Sequence, residues 1–213
     1  MAAEPFSFPK VVDMFERVDT HAGKAANEIE TIPFLDAYFE LSKVFDHLGR
    51  AFKFVTADVV EKIDILRKHH ELRENAHSTL DGMLRHELEN NLTDTTSSGG
   101  LRSGSRTLLR LNRALEFILA FFDRMIEAKE DAACSTLAGE AYANTLSKHH
   151  GWAVRSAVNL ALYTLPSLSE LIRRLDVSRD DGIAYLKRIV ASVRPMYDHI
   201  NGLYTTHDLH SLP

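Results

Sequence analysis

An all-α fold is predicted for this 213-residue chain by three features. Apolar residues recur three and four apart over most of its length, the period of a helix that buries one face. No segment sustains the strict apolar–polar alternation of a half-buried strand. Clusters of Gly, Ser and Thr, together with Pro166, fall between the periodic segments and punctuate them. With 45% apolar residues the chain can bury a substantial core, and residues 1–213 are expected to form one domain.

The elements follow in order. "IPFLDAYFELSKVFDHLGRAFKFVTADVVEKIDILRKHH" (Ile32 to His70) predicts two helices meeting near Gly49, or one long bent helix. "HSTLDGMLRHELEN" (His77 to Asn90) predicts another, and "LTDTTSSGGLRSGS" (Leu92 to Ser105) a loop. A long helix is expected from about Arg106 to Ala128. The segment Thr136 to His150 follows, then Gly151 to Leu165, which Pro166 ends or redirects. "SLSELIRRL" is short and amphipathic, and a last helical region with a kink at Pro195 runs from Arg179 to His207.

Charge and cysteine content narrow the function. The formal charge of −5 argues against a general nucleic-acid binder, which carries a broad basic field. A local cationic site for a small anion stays open. Cys134 stands alone, so no intrachain disulfide can form and a reducing compartment is expected. The N-terminal stretch has no long apolar core behind a basic start, so no signal peptide is expected, and apolar runs such as "ILAFF" are too short to span a bilayer. A cytosolic location follows as the expectation.

Three stretches carry candidate chemistry. In "GSRTLLRLNRALEFI" (Gly104 to Ile118), Arg106, Arg110 and Arg113 fall within about 60° of one another on a helix. Phe117 lies about 20° from Arg106 in projection and Phe121 about 60°, so an arginine row runs into a phenylalanine row. Leu108, Leu111, Leu115, Ile118 and Phe122 occupy the other side. Arginines snorkelling at a surface are the ordinary reading of such a row. The functional one is an anion site at the mouth of an apolar cavity, because the guanidinium fork matches phosphate oxygens.

In "FKFVTADVVEKIDILRK" (Phe52 to Lys68), Asp58 and Lys62 stand four apart, an everyday helix ion pair worth about 0.2–0.5 kcal/mol. Yet Ala51, Phe54, Val55 and Ile65 share their side of the wheel, while Lys53, Glu61, Asp64, Arg67 and Lys68 gather elsewhere. Asp58 and Lys62 therefore interrupt an apolar face, where charges need partners. The third stretch is "KHHGWAVR" (Lys148 to Arg155). Its adjacent histidines point about 100° apart and lack zinc-helix spacing, as do "HELEN" and the pair His207 and His210. One of His149 and His150 is expected to make a structural hydrogen bond. Trp152 beside Gly151 suits either a core or a membrane interface. Neither a metal nor a nucleotide is implied, since Gly99, Gly100 and Gly104 lack the Lys-Ser/Thr ending of a P-loop.

"LGRAFKFVTADVVEK", "SGSRTLLRLNRALEF", "AYANTLSKHHGW" and "TLPS", in this order and spacing, resemble the glycolipid transfer protein superfamily, most closely its ceramide-1-phosphate transfer branch. The resemblance covers roughly Pro9 to His207. It implies a two-layer helical sandwich with a surface headgroup site and a hydrophobic pocket for lipid chains between the layers. It further implies that Asp58 accepts from the ceramide amide and sphingoid hydroxyl, that His150 donates to the amide carbonyl, and that Lys62, Arg106 and Arg110 bind phosphate. Sugar-binding members carry tryptophan at the place of Arg110, so arginine there points to phosphate. Arg113 is auxiliary, because sugar-binding members also have a basic residue there, and Gly151 departs from the proline of some phosphate-selective relatives. Phe54, Val55, Phe117 and Phe121 are candidate pocket-lining residues, and Trp152 a candidate membrane contact.

The implied function is non-enzymatic transfer of ceramide-1-phosphate, or a related phosphorylated sphingolipid, by a cytosolic monomer that docks transiently on membrane surfaces. Chain burial at about 0.8 kcal/mol per methylene drives uptake but cannot distinguish headgroups. Charge-assisted hydrogen bonds of about 1.5–3 kcal/mol can. Three alternatives use the same residues: a lipid sensor or adaptor that does not release its lipid, a glycosphingolipid carrier, and a phospholipid-acting enzyme with His150 and Asp58 as acid and base.

Overall fold

The computed structural model describes residues 5–21, 28–96 and 100–213. Ten α-helices carry the fold among these residues: α1 (Phe8–His21), α2 (Thr31–Ser42), α3 (Val44–Leu48), α4 (Lys53–Leu72), α5 (Leu80–Glu89), α6 (Gly104–Glu127), α7 (Cys134–Asn144), α8 (Trp152–Tyr163), α9 (Leu168–Arg174) and α10 (Arg179–Thr206). Extended pairing among them is limited to three isolated bridges, Glu30 with Thr79, Thr96 with Arg102 and Ala133 with Ser167. The helices form the expected two-layer sandwich. Helices α1, α2, α4, α6 and α10 make a closed circuit of contacts, α5 packs on α6 and α10, and α7 packs on α6 and α8.

Local chemistry places the boundaries. Ser103, Thr79, Ser167 and Ser178 cap α6, α5, α9 and α10, each accepting from the backbone N–H three residues on. Gly49, with φ of +110°, breaks the chain between α3 and a 3₁₀ turn at Arg50–Phe52, so the joint predicted near it is two short steps rather than one bend. Gly104 opens α6 because a Cβ there would meet Met83 Sδ at 2.5 Å. Helix α10 runs on through Pro195.

Helix α1 is absent from the sequence-predicted elements, although Phe8, Val11, Val12, Phe15 and Val18, all buried, keep helical spacing. The buried stripe of α4 also differs from expectation. It is formed by Val59, Ile63, Leu66 and His69, leaving Asp58 and Phe54 towards solvent. The wheel registered an apolar sector around Asp58, but the neighbours α2 and α6 cover the adjacent sector.

The interior holds a cavity of about 30 Å³ lined without exception by apolar side chains. Phe117, Ile118, Phe121 and Phe122 of α6 form one wall, facing Phe45 and Leu48 of α3 and Leu171 of α9. Phe8 of α1 and Leu186 of α10 close it from the two ends of the chain.

Candidate functional site

Helix α6 positions the site. Its cap, Ser103, accepts from Arg106 N at 3.1 Å, and the buried Glu87 carboxylate accepts from Gly104 N, Ser105 N and Ser105 Oγ at 2.6–2.8 Å. The first turn is thus pinned by four hydrogen bonds, which set the direction in which Arg106, Arg110 and Arg113 leave the helix. All three guanidinium-bearing side chains are half-buried, whereas Leu108, Leu111, Leu115, Ile118 and Phe122 are buried.

The cations differ in what holds them. Arg106 pairs with Asp94 (Nη1 to Oδ1, 3.2 Å) and donates from Nε to Pro213 O at 3.3 Å. Arg113 donates to His210 O at 2.6 Å. Arg110 makes no hydrogen bond or ion pair among the described residues. Burial holds its pKa below the usual arginine value, with Arg106 and Arg102 adding repulsion and Asp58 and Glu61 opposing it. The guanidinium remains charged, with Asp58 and Glu61 the acids that act on it most among the described residues.

Lys62 of α4 pairs with Asp58, whose carboxylate acts on both Arg110 and His150. The lysine side chain is only 12% exposed while that of its partner Asp58 is 62% exposed, at 2.5 Å from Nζ to Oδ1. The pair is therefore not a buried ion pair. The lysine is sunk and the carboxylate stands at the rim, able to turn to another donor. His150, after the 3₁₀ turn Leu146–His149, is partly buried and meets the Tyr142 hydroxyl through Nδ1 at 2.9 Å. Desolvation lowers its pKa, Asp58 opposes that and Lys62 reinforces it, so the imidazole is neutral at pH 7 with Nε2 left for a ligand. His149 is exposed, so the structural hydrogen bond of the His-His pair belongs to His150.

Of the apolar candidates, Phe117 and Phe121 line the cavity and stack with ring centroids 6.2 Å apart. Phe54 is 45% exposed and Val55 packs against the core without lining the cavity. Their places are taken by Phe52 of the 3₁₀ turn, which the sequence reading did not select, and by α3 and α9, whose contribution depends on how the chain folds back. Trp152 is 77% exposed and opens α8, where Leu160 and Tyr163 are exposed as well. Sequence reasoning did not single out Tyr142, Asp94 or Arg102. Tyr142 lies inside the quoted "AYANTLSKHHGW", and Asp94 is the last acid before the arginine row in the chain. Arg102 pairs with Glu61 at 3.4 Å. Among the described residues no three His, Cys, Asp or Glu side chains gather as metal ligands, and no helix is long and apolar enough to cross a membrane.

The family model described as Glycolipid transfer protein (GLTP) matches residues 29–177. The ceramide-1-phosphate transfer protein of Mus musculus is 32% identical over 213 residues, 98% of this chain and 97% of the relative. The crystal structure of the human ceramide-1-phosphate transfer protein in complex with 12:0 ceramide-1-phosphate superposes with a TM-score of 0.87 at 29% identity, over 98% of this chain and all of the other. Accelerated cell death 11 of Arabidopsis thaliana is 28% identical over 94% of this chain and 93% of its own length.

Proposed function

The chain belongs to the glycolipid transfer protein family, and from that premise we propose that it carries ceramide-1-phosphate between membrane surfaces. The observation that carries the reading is a row of arginines on α6, one to three helical turns before the apolar cavity wall on the same helix. Arg110 to Phe117 spans seven residues of α6, about 10 Å. A phosphate at Arg110 therefore leaves the lipid chains beginning where Phe117 and Phe121 begin to line the interior.

In this reading Lys62, Arg106 and Arg110 hold the phosphate, with Arg113 auxiliary. Asp58 turns from Lys62 to accept from the amide N–H and the sphingoid hydroxyl, and His150 donates through Nε2 to the amide carbonyl. Tyr142, accepting from His150 Nδ1–H, would leave Nε2 unprotonated; it must therefore donate to Nδ1 for His150 to serve as donor. That tautomer, Nε2–H, follows from the phenol donating. No group in this arrangement has to transfer a proton to bound lipid, which supports a carrier over an enzyme. Residues 1–213 act as one domain, a reading supported by the cavity-lining Phe8 and Leu186, which lie outside the family match at opposite ends.

Helix α8 supplies the membrane contact. Trp152, Val154, Leu160 and Tyr163 are exposed large apolar or aromatic side chains, while Leu162 of the same helix lines the cavity. A bilayer covering the outer face would thus sit one helix thickness from the place the chains enter. Transient peripheral docking from the cytosol is the location this supports.

The test is intervesicle transfer of fluorescent ceramide-1-phosphate, galactosylceramide and phosphatidic acid by wild type and Arg110→Ala. Selective movement of ceramide-1-phosphate, reduced roughly ten- to hundredfold in the variant, is expected from the loss of a charge-assisted contact. Stable loading without transfer would replace the carrier by a sensor, and equal movement of galactosylceramide would overturn the phosphate assignment.

A further inference from the structure

Asp94 has no part in the site as assigned, yet its position is held by the same residue that caps α6. Ser103 Oγ donates to Thr93 O at 2.6 Å while accepting from Arg106 N, and Ser103 N donates to Thr95 O at 3.0 Å. The two carbonyls on either side of Asp94 are thereby fastened to the first turn of α6. Thr95 closes the turn further, donating from both N and Oγ1 to Leu92 O. Between these fixed points the carboxylate reaches Arg106 Nη1 at 3.2 Å. Arg106 Nε is at the same time satisfied by Pro213 O.

We propose that Asp94 is a release element: a carboxylate that occupies Arg106 in the empty protein, gives it up to the lipid phosphate, and takes it back on delivery. The proposal rests on the carrier reading above and adds a residue that sets how readily the headgroup leaves. A carboxylate and a phosphate offer the same charge-assisted acceptor to a guanidinium, so one substitutes for the other without leaving Arg106 unpaired. Arg106 is 20% exposed and Asp94 56%, so the guanidinium is the member that suffers from losing its partner, and the carboxylate can swing into water while displaced. Among the described residues the neighbouring Arg110 has no such internal acceptor, which divides the labour: Arg110 attracts the phosphate and Arg106 is contested. A carrier needs that contest, because a headgroup held by every available cation would dissociate too slowly for delivery.

The test uses Asp94→Asn, which keeps the shape of the side chain and removes its charge. Binding and release are followed with fluorescent ceramide-1-phosphate in phosphatidylcholine vesicles, beside fluorescent ceramide without a phosphate. Removing an exposed competitor predicts affinity for the phosphorylated lipid about two- to fivefold higher, with delivery to acceptor vesicles slowed to match. Ceramide uptake is unchanged. In the Arg106→Ala background, assayed at raised protein concentration, Asp94→Asn gives no gain. Wild-type affinity and release in Asp94→Asn would overturn the proposal while leaving the carrier intact. So would a gain of equal size in the Arg106→Ala background, which would mark a diffuse field of charge. Absence of ceramide-1-phosphate uptake by the wild type would instead remove the carrier reading, and this one with it.

Discussion

Lys62 and Asp58 look like one another's partners in sequence, and the structure makes them unequal. The lysine lies at 12% exposure and the carboxylate at 62%, so the two respond differently to substitution. Asp58 can lose its partner to water at little cost, as exposed ion pairs contribute about 0–1 kcal/mol. Under the proposed function, removing Lys62 weakens phosphate capture. Lys62→Ala is expected to lower ceramide-1-phosphate binding roughly tenfold or more with unchanged far-ultraviolet circular dichroism. Wild-type affinity in that variant, measured by fluorescence titration, would remove Lys62 from the site. Trp152 offers a second test at this scale. Its exposed ring predicts that Trp152→Ala reduces sedimentation with vesicles while leaving thermal stability unchanged, since no core packing is lost.

At the level of the helix, the placement of α6 depends on the polar framework beneath its first turn. Glu87 of α5 receives the α6 amides, and a run of histidines ties α5 to the end of α4. His77 donates from Nδ1 to His69 O at 3.0 Å, His86 Nδ1 meets His77 Nε2 at 3.1 Å, and His70 Nδ1 donates to His77 O at 3.0 Å. With its Nδ1 proton committed to a carbonyl, His77 must accept from His86 through Nε2. A second proton on His77 would remove that acceptor. Burial accordingly pushes its pKa down to about 4, against the favourable carbonyl bond to His69 and with His86 and His69 adding repulsion. Because the folded value lies below the unfolded one near 6.5, the contribution is complete above pH 6.5. It is lost as pH falls towards 4, by roughly 3 kcal/mol. Urea denaturation of wild type and His77→Asn at pH 7 and pH 5 checks this: wild type should weaken more steeply than the variant. Parallel pH dependence would show that the relay does not titrate.

Across the whole molecule, the cavity is too small for its proposed cargo. A space of about 30 Å³ has room for on the order of one or two waters, so two lipid chains require the walls to part. Those walls belong to α1, α3, α6, α7, α8, α9 and α10, and the short helices α3 and α9 can move at lower cost than α6, which is packed against α4, α5, α7 and α10. Ala138 of α7, fully buried at the cavity, is the place to test expansion. Ala138→Leu is expected to cost about 1–3 kcal/mol of stability and to impair uptake of long-chain ceramide-1-phosphate more than a short-chain analogue. Equal effects on both, in competition binding, would mean that the chains take another route.

The residues alone determined the all-helical class, most element boundaries and the cationic row of α6, because helical period and capping are local and arginines four and three apart must share a face. The resemblance in four ordered motifs added the pairing of that row with Asp58, Lys62 and His150. Only the tertiary structure decided that Phe52, α3 and α9 wall the cavity rather than Phe54 and Val55, because which side of α4 is buried depends on where α2 and α6 lie. It alone brought Asp94, Tyr142 and the backbone oxygens of His210 and Pro213 to the candidate site. Pro213 lies 107 positions from Arg106, and no local pattern encodes a contact of that separation.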